Sequence, residues 1–233
     1  TNCTVWDYKT YTGSLRYLVI RHAKTTEEIL LNFIVSDDIS DILSPLAKEL
    51  NDIFPEIKSI YYSINPNNSD TAQTDTSIQL SGAKKIAETF GSFKFLISPQ
   101  SFFQTNSFQA KVLYEKITEL SNFNINDTIL DLYCGTGTIG MYLAPYVKKV
   151  IGIEENPHAI EDAHINATTN NINNIEFFTG RVKNILKFNT FDAQGLVIDP
   201  PRSGMVPKAL KRILELNVQK ITYVSCNPTT LLR

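Results

Sequence analysis

The chain has 233 residues, 42% hydrophobic and 20% charged. That is enough apolar material for one large domain or a domain with an appendage, and a net charge of −2 argues against a surface that binds phosphates throughout. No run of about 18 uncharged apolar residues occurs and residues 1–20 lack the basic-then-apolar order of a secretion signal, so nothing points to a membrane or to export and the cytosol is the expected compartment. Cys3, Cys134 and Cys226 lie far apart, without a C-x-x-C pair or a His at ligand spacing, which excludes a disulfide framework and a metal site.

Apolar stretches at 15–20 and 29–35, a helix over 39–50, and strands near 57–63 and 93–97 predict a small α+β subdomain, residues 1–100. The polar, turn-rich stretch 65–76, N-P-N-N-S-D-T-A-Q-T-D-T, reads as an exposed loop. Asn106 or Ser107 can cap a helix with an apolar stripe of Phe108, Val112, Leu113, Ile117 and Leu120. Strand 128–133, a Gly-rich turn, helix 139–146 and strand 150–154 follow, and Asn156-Pro157 reads as N-cap and first position of a helix reaching about residue 169. Strands near 175–179, 196–199 and 221–225 complete five, with helices between them. This alternation predicts an α/β domain over residues 101–233, built on a doubly wound parallel sheet.

In D-L-Y-C-G-T-G-T-I-G, Gly135, Gly137 and Gly140 have G-x-G-x-x-G spacing between a strand and a helix. A dinucleotide site uses such glycines against a pyrophosphate and places an acid about 20 residues on at the ribose, a role Glu154 can fill. Asp131 discriminates, because a carboxylate at the end of the preceding strand repels a pyrophosphate but attracts a sulfonium and an ammonium. The turn therefore favours S-adenosylmethionine over a nicotinamide, with Glu154 accepting the ribose hydroxyls. Asp131 as a plain turn cap and Glu154 as a solvated strand end are the bland alternatives. Cys134 reads as a packing residue.

Two further segments fall at strand ends, where open α/β sheets bind ligands. Asp199-Pro200-Pro201-Arg202-Ser203-Gly204 fixes an acid at the cleft floor, and Ser225-Cys226-Asn227-Pro228 projects a thiol from the last strand. A thiolate added to C6 of a uracil makes C5 nucleophilic toward a methyl sulfonium; a base must then remove the C5 proton so that the thiolate can leave.

The ordered set S-F-F-Q-T-N (101–106), D-L-Y-C-G-T-G (131–137), G-I-E (152–154), D-P-P-R-S-G (199–204) and S-C-N-P (225–228) closely resembles the RNA uridine-C5 methyltransferase family, from about residue 90 to the end and more loosely before it. The resemblance implies the Rossmann-like sheet of class I S-adenosylmethionine-dependent methyltransferases, here incomplete at its carboxyl end. It implies cofactor contacts at Gln104, Tyr133, Glu154 and Asp199 and Cys226 as nucleophile, while the glycine turn itself adds Asp131, Gly135, Gly137 and Thr138 to the expected cofactor-binding set. It further implies a monomer acting on an extruded uridine in RNA, without a metal. The double Phe before Gln104 is more like members acting on large-subunit ribosomal RNA than on transfer RNA, so 23S ribosomal RNA is the expected substrate. Phe102 and Phe103 themselves read as core, with stacking on a base as the alternative.

Two departures shape the expectations. Neither the RNA-binding barrel nor the iron-sulfur segment common in the family is visible, which leaves Arg16, Arg21, Lys24, Arg202, Lys208, Lys211 and Arg212 as candidate phosphate contacts. Family members also continue past the nucleophile through a helix and two strands carrying a general-base Glu, so the chain reads as a fragment with an uncovered last strand and poor turnover in isolation. An amino-group or cytosine-C5 methyltransferase on the same scaffold, and a catalytically silent binder of cofactor or RNA, stay open as alternatives.

Overall fold

The computed structural model describes residues 3–68, 71, 72, 74, 76–227 and 229. It divides into two compact units, Thr1–Thr89 with Leu96–Gln100, and Phe90–Phe95 with Ser101–Arg233.

In the first unit the chain runs β1 (Leu15–Ala23), β2 (Glu28–Val35), α1 (Ser40–Ile53), β3 (Ile57–Ile64) and β4 (Ile78–Gly82). The four strands form a sheet in the order β1-β2-β3-β4, antiparallel except for β2 against β3, where α1 is the crossover. Alternate residues Leu31, Phe33 and Val35 of β2 pack with Ile60 and Tyr62 of β3 under Leu43 and Ala47 of α1. Next in chain order is a two-stranded sheet, β5 (Ile86–Phe90) and β6 (Phe93–Ile97), of which Phe90–Phe95 count with the second unit. Buried Glu88 accepts the backbone N–H groups of Lys24 (2.7 Å) and Thr25 (3.0 Å), which ties the β1–β2 turn down. Strands β4 and β5 were not expected. I-Q-L-S-G and I-A-E-T-F carry too many polar and small residues to read as strands, and neighbouring strands and buried partners decide their conformation. The described residues of stretch 65–76 contain neither helix nor strand; residues 69, 70, 73 and 75 of that expectation lie outside them.

The second unit continues with α2 (Ser107–Ser121), β7 (Thr128–Leu132), α3 (Thr138–Leu143), β8 (Lys149–Glu154), α4 (Pro157–Thr169), β9 (Ile175–Thr179), α5 (Val182–Phe188), β10 (Gly195–Ile198), α6 (Pro207–Glu215) and β11 (Lys220–Tyr223). Its five strands are all parallel, in the order β11-β10-β7-β8-β9. The fold is the expected α/β Rossmann-like one. Strand residues alternate between two cores, Ile129, Val150 and Val197 joining Tyr114, Ile139 and Met141, while Leu130, Ile151 and Ile198 join Leu186, Ala209 and Ile213. Both faces of the inner strands β7, β8 and β10 are therefore covered, which is why these read as near-continuous apolar runs, whereas the edge strands β9 and β11 are partly exposed. The direction of winding reverses between β7 and β10, and that reversal opens a crevice at the carboxyl ends of the strands.

The helix starts follow the expected chemistry. Asn106 Oδ1 accepts the Gln109 N–H (3.1 Å), and Asn156 Oδ1 accepts the His158 N–H (3.0 Å) with Pro157 first in α4. The face of α2 is corrected. Phe108, Val112 and Leu120 are exposed, and the buried face is Ser107, Ala110, Tyr114, Ile117 and Ser121. A stripe of small residues around one tyrosine outcompetes the more apolar stripe because Tyr114 fills the core, and Ser121 bonds Thr222 of β11 (2.8 Å).

Close packing of α3 on the sheet sets a limit at Gly140, where a Cβ would meet an Asp131 carboxylate oxygen at 2.9 Å and Ile175 and Val150 at 3.0 Å. Gly140→Ala is expected to cost roughly 1–3 kcal/mol by overpacking, to be read from denaturant unfolding. Unchanged stability would show that α3 can lift off without strain.

Candidate functional site

Strand β7 ends in a backbone that few side chains tolerate. Tyr133, Gly135 and Gly137 all have positive φ, at 64°, 54° and 77°. The Tyr133 and Cys134 N–H groups both donate to the Ile153 carbonyl (2.9 and 3.1 Å), and the Gly137 N–H closes the turn on the Cys134 carbonyl (2.9 Å). A Cβ on Gly135 would enter open space, whereas one on Gly137 would strike Met141 and Phe177 at 3.0 Å, so the first glycine faces the crevice and the second faces the protein.

Two carboxylates brace this turn. Glu154, at the end of β8, accepts the Gly135 N–H through Oε2 (3.2 Å) and the Asn156 N–H through Oε1 (2.8 Å), joining two successive loops. Asp131 is fully buried and its Oδ2 accepts the Gly140 N–H (2.9 Å), while its Oδ1 has no hydrogen-bond partner among the described residues. Asp131, expected at the cofactor site for its attraction to a cation, lies behind the turn on the backbone of α3, the place its alternative reading as a turn cap assigns it. Burial, reinforced by the charges of Asp199 and Glu154, pushes its carboxyl up to about 7.

In front of the turn lies a cavity of about 40 Å³ whose lining includes Gln104, Tyr114, Tyr133, Gly135, Thr138 and Asp199. Asp199 leaves β10 with its N–H on the Leu132 carbonyl (3.3 Å), and burial raises its carboxyl to about 6. Gln104 is held between Phe103, which stacks on Phe90 (5.2 Å), and the helix cap at Asn106. Phe102, expected in the core, is 68% exposed. No lysine or arginine lines this cavity among the described residues. A second cavity, about 220 Å³, lies among Glu155, Val182, Pro201 and Val206, and Tyr133 lines both.

Beyond β11 the ladder continues for one bond, from the Val224 N–H to the Ile198 carbonyl (2.8 Å), which carries the chain past the Asp199 end of β10. Ser225 Oγ then donates to the Asn227 carbonyl (2.8 Å) and accepts the Asn227 N–H (3.1 Å), folding a tight turn about Cys226, whose side chain is exposed. Pro228 lies outside the described residues. Cys226 lines neither cavity. The structure thus gathers Gly135, Glu154, Asp199 and Cys226 at the carboxyl ends of β7, β8, β10 and β11, with Gln104 and Thr138 beside them.

Sequence reasoning missed Tyr114, which is hidden in the misread face of α2; the spacing Ser107, Ala110, Tyr114, Ile117 carried that signal. Among the candidate phosphate contacts, Arg16 is corrected. It is buried, stacked 4.4 Å over Trp6, and bonded to the Asn65 and Asn67 carbonyls. Arg21 donates to the Pro99 carbonyl (3.1 Å) and Arg212 pairs with Glu215 (2.6 Å), whereas Lys24, Arg202, Lys208 and Lys211 are exposed. Among the described residues no cluster suits a metal ion, and no helix is long and apolar enough to cross a membrane.

Residues 83–233 match the family model for tRNA (uracil-5-)-methyltransferases. The chain is 38% identical over 231 residues to an RNA methyltransferase of Oceanobacillus iheyensis, covering 98% of this chain and 50% of that protein. It is 41% identical over 222 residues to one of Clostridium tetani, covering 94% and 48%. It therefore spans about half the length of the curated relatives it matches. Among solved structures it is similar to the tRNA (uracil-54, C5)-methyltransferase of Pyrococcus abyssi in complex with S-adenosyl-L-homocysteine, with TM-score 0.80, 35% identity, and coverage of 98% of this chain and 54% of that one.

Asp131 gives the fold a pH signature. Its carboxyl binds a proton more tightly folded than unfolded, so unfolding releases that proton between pH 3.8 and about 7, and stability falls as pH rises through this window; Asp199 acts with the same sign up to about 6. Asp131→Asn keeps an acceptor for Gly140 and should flatten the fall in Tm from pH 4 to 7 by several degrees, at about 2–4 °C per kcal/mol for a chain of this size. Parallel Tm-against-pH curves for the two proteins would show that Asp131 titrates as an ordinary carboxylate.

Proposed function

Because the chain belongs to the tRNA (uracil-5-)-methyltransferase family, we propose that the protein transfers a methyl group from S-adenosylmethionine to C5 of a uridine in RNA. The observation that carries this reading is the pairing of an acidic cavity without a lysine or arginine in its lining with an exposed thiol at the end of the last strand. A pyrophosphate would find no cation there, whereas a sulfonium and an ammonium find Asp199 and the field of Asp131.

In this reading Glu154 accepts the ribose hydroxyls, Tyr133 and Gly135 form the wall along which the cofactor lies, Gly137 shapes the turn, and Gln104, Thr138 and Asp199 surround its amino-acid end. Asp131 serves from behind by fixing α3. The cofactor supplies an electrophilic methyl group on sulfur. The thiolate of Cys226 adds to C6 of the uracil, pushing electron density through the ring to C5, which takes the methyl as the S–CH3 bond breaks and the neutral thioether, S-adenosylhomocysteine, is left. Loss of the C5 proton to a base, which is none of the residues assigned above, then lets the C6–S bond break and returns the thiolate. In this reading Phe102, exposed and in the lining of the cavity, stacks on an extruded base; its exposure supports that role over one in the core.

For the substrate we infer 23S ribosomal RNA, on the Phe-Phe-Gln pattern; since the Pyrococcus abyssi protein is named for a tRNA uracil, the assay compares both RNAs. Cys226→Ala is expected to abolish the denaturant-stable adduct with RNA carrying 5-fluorouridine while leaving S-adenosylhomocysteine binding intact. An adduct that persists in this variant would overturn covalent catalysis by this residue. Glu154→Ala should weaken S-adenosylmethionine binding about ten- to hundredfold in calorimetry, the worth of charge-assisted hydrogen bonds. Equal affinity in variant and parent would remove Glu154 from the cofactor site.

A further inference from the structure

Of the polar side chains that line the 40 Å³ cavity, Tyr114 and Thr136 have no part in the reading above, and Tyr114 is the one that reaches it from α2. Tyr114, midway along α2, is 2% exposed, with its ring packed near Phe90 and Tyr142 at centroid distances of 6.1 and 5.2 Å. Its hydroxyl oxygen accepts a hydrogen bond from Thr138 Oγ1 (3.3 Å), so the Thr138 proton is committed and the phenol keeps its own proton to donate. Burial beside Asp199 holds that phenol protonated well above the ordinary tyrosine range.

The strand order fixes what this donor faces. Along the carboxyl edge the ends follow one another as Glu154 after β8, the glycine turn after β7, Asp199 after β10 and Cys226 after β11. A cofactor with its ribose on Glu154 that extends toward Cys226 carries its amino-acid end into the cavity with Gln104, Tyr114 and Asp199. That end is a zwitterion. Its ammonium has Asp199 as acceptor, but its carboxylate accepts only, and no lysine or arginine among the described residues lines the cavity to meet it. Neutral donors have to serve, and the lining offers the amide of Gln104, the hydroxyl of Thr136 and the phenols of Tyr133 and Tyr114, of which Tyr114 is buried with its acceptor side already taken by Thr138.

We propose that Tyr114 is a cofactor-binding residue whose hydroxyl donates to the α-carboxylate of S-adenosylmethionine and of S-adenosylhomocysteine. The proposal rests on the cofactor reading above and adds a specificity to it: the pocket distinguishes ligands that keep the amino-acid end from those that lack it. The phenol thereby links α2 to the ligand through the same group that receives Thr138 at the start of α3.

Calorimetry on the 233-residue chain and on Tyr114→Phe, with S-adenosylhomocysteine and with 5′-methylthioadenosine, tests this. The second ligand has the same adenosine and sulfur but no amino acid. The expected result is a loss of about tenfold in affinity for S-adenosylhomocysteine on removing the hydroxyl, as for one hydrogen bond to a charged group, with binding of 5′-methylthioadenosine unchanged. Unchanged 5′-methylthioadenosine binding also shows that the variant keeps a folded pocket. Equal S-adenosylhomocysteine affinity in both proteins would overturn the role of Tyr114 and leave the cofactor reading standing. Equal weakening of both ligands would make Tyr114 a packing residue and overturn it as well. A parent chain that binds neither ligand would bring down the cofactor reading, and the assignment of Tyr114 with it.

Discussion

The hydrogen bond from the Gly140 N–H to the buried carboxylate of Asp131 (2.9 Å) holds α3 against the strand it has just left. No side chain can intervene at Gly140, so the helix sits close on Val150 and Ile175, and the turn between strand and helix has to be short and sharply bent. Three positive φ angles within residues 133–137 are the result. Only with that turn in place does the Gly135 N–H meet Glu154, and only then do the ends of β7 and β8 share one wall. A buried carboxylate with one unpartnered oxygen is costly, and it is tolerated where it organises the crevice.

Much of this organisation was legible in the amino-acid order. The glycines, Asp199-Pro200-Pro201 and Asn156-Pro157 reveal themselves because turn and cap chemistry is local, depending on φ and on side chains that reach only a few residues. The inner strands β7, β8 and β10 were legible because they are buried on both faces, and the edge strands β9 and β11 because they fall between helices in the same alternation. What stayed hidden depended on distant partners. Nothing local in I-A-E-T-F says that Glu88 will receive amides from Lys24 and Thr25. The buried face of α2 was misread because hydrophobicity ranks Phe108 and Leu120 above Ser107 and Ser121, whereas packing rewards whichever face carries the residue that fills the core. The sequence placed Asp131 at the end of its strand, but whether its carboxylate faces the crevice or the helix behind depends on the path of a turn that only the folded chain defines.

Charge is distributed in the same economical way. Arg16 is spent inside the first unit, on two backbone carbonyls and the face of Trp6, so a count of basic residues overstates what is offered to a polyanion. Of the candidate phosphate contacts, those exposed on the second unit, Arg202, Lys208 and Lys211, follow β10 along the segment that leaves Asp199. A near-neutral chain can thus present local positive charge beside an acidic pocket, because the two kinds of group lie at different depths.

Tyr133 stands under two opposed demands. Its φ of 64° costs a residue with a side chain about 1–2 kcal/mol, a strain that glycine would relieve. Yet among the described residues that line the two cavities, of about 40 and 220 Å³, Tyr133 is the one they share, and glycine there would strip its ring from both linings. The residue most comfortable for the backbone would be the poorest for the cavities. Backbone ease and a ring in contact with both spaces are opposed at this single position.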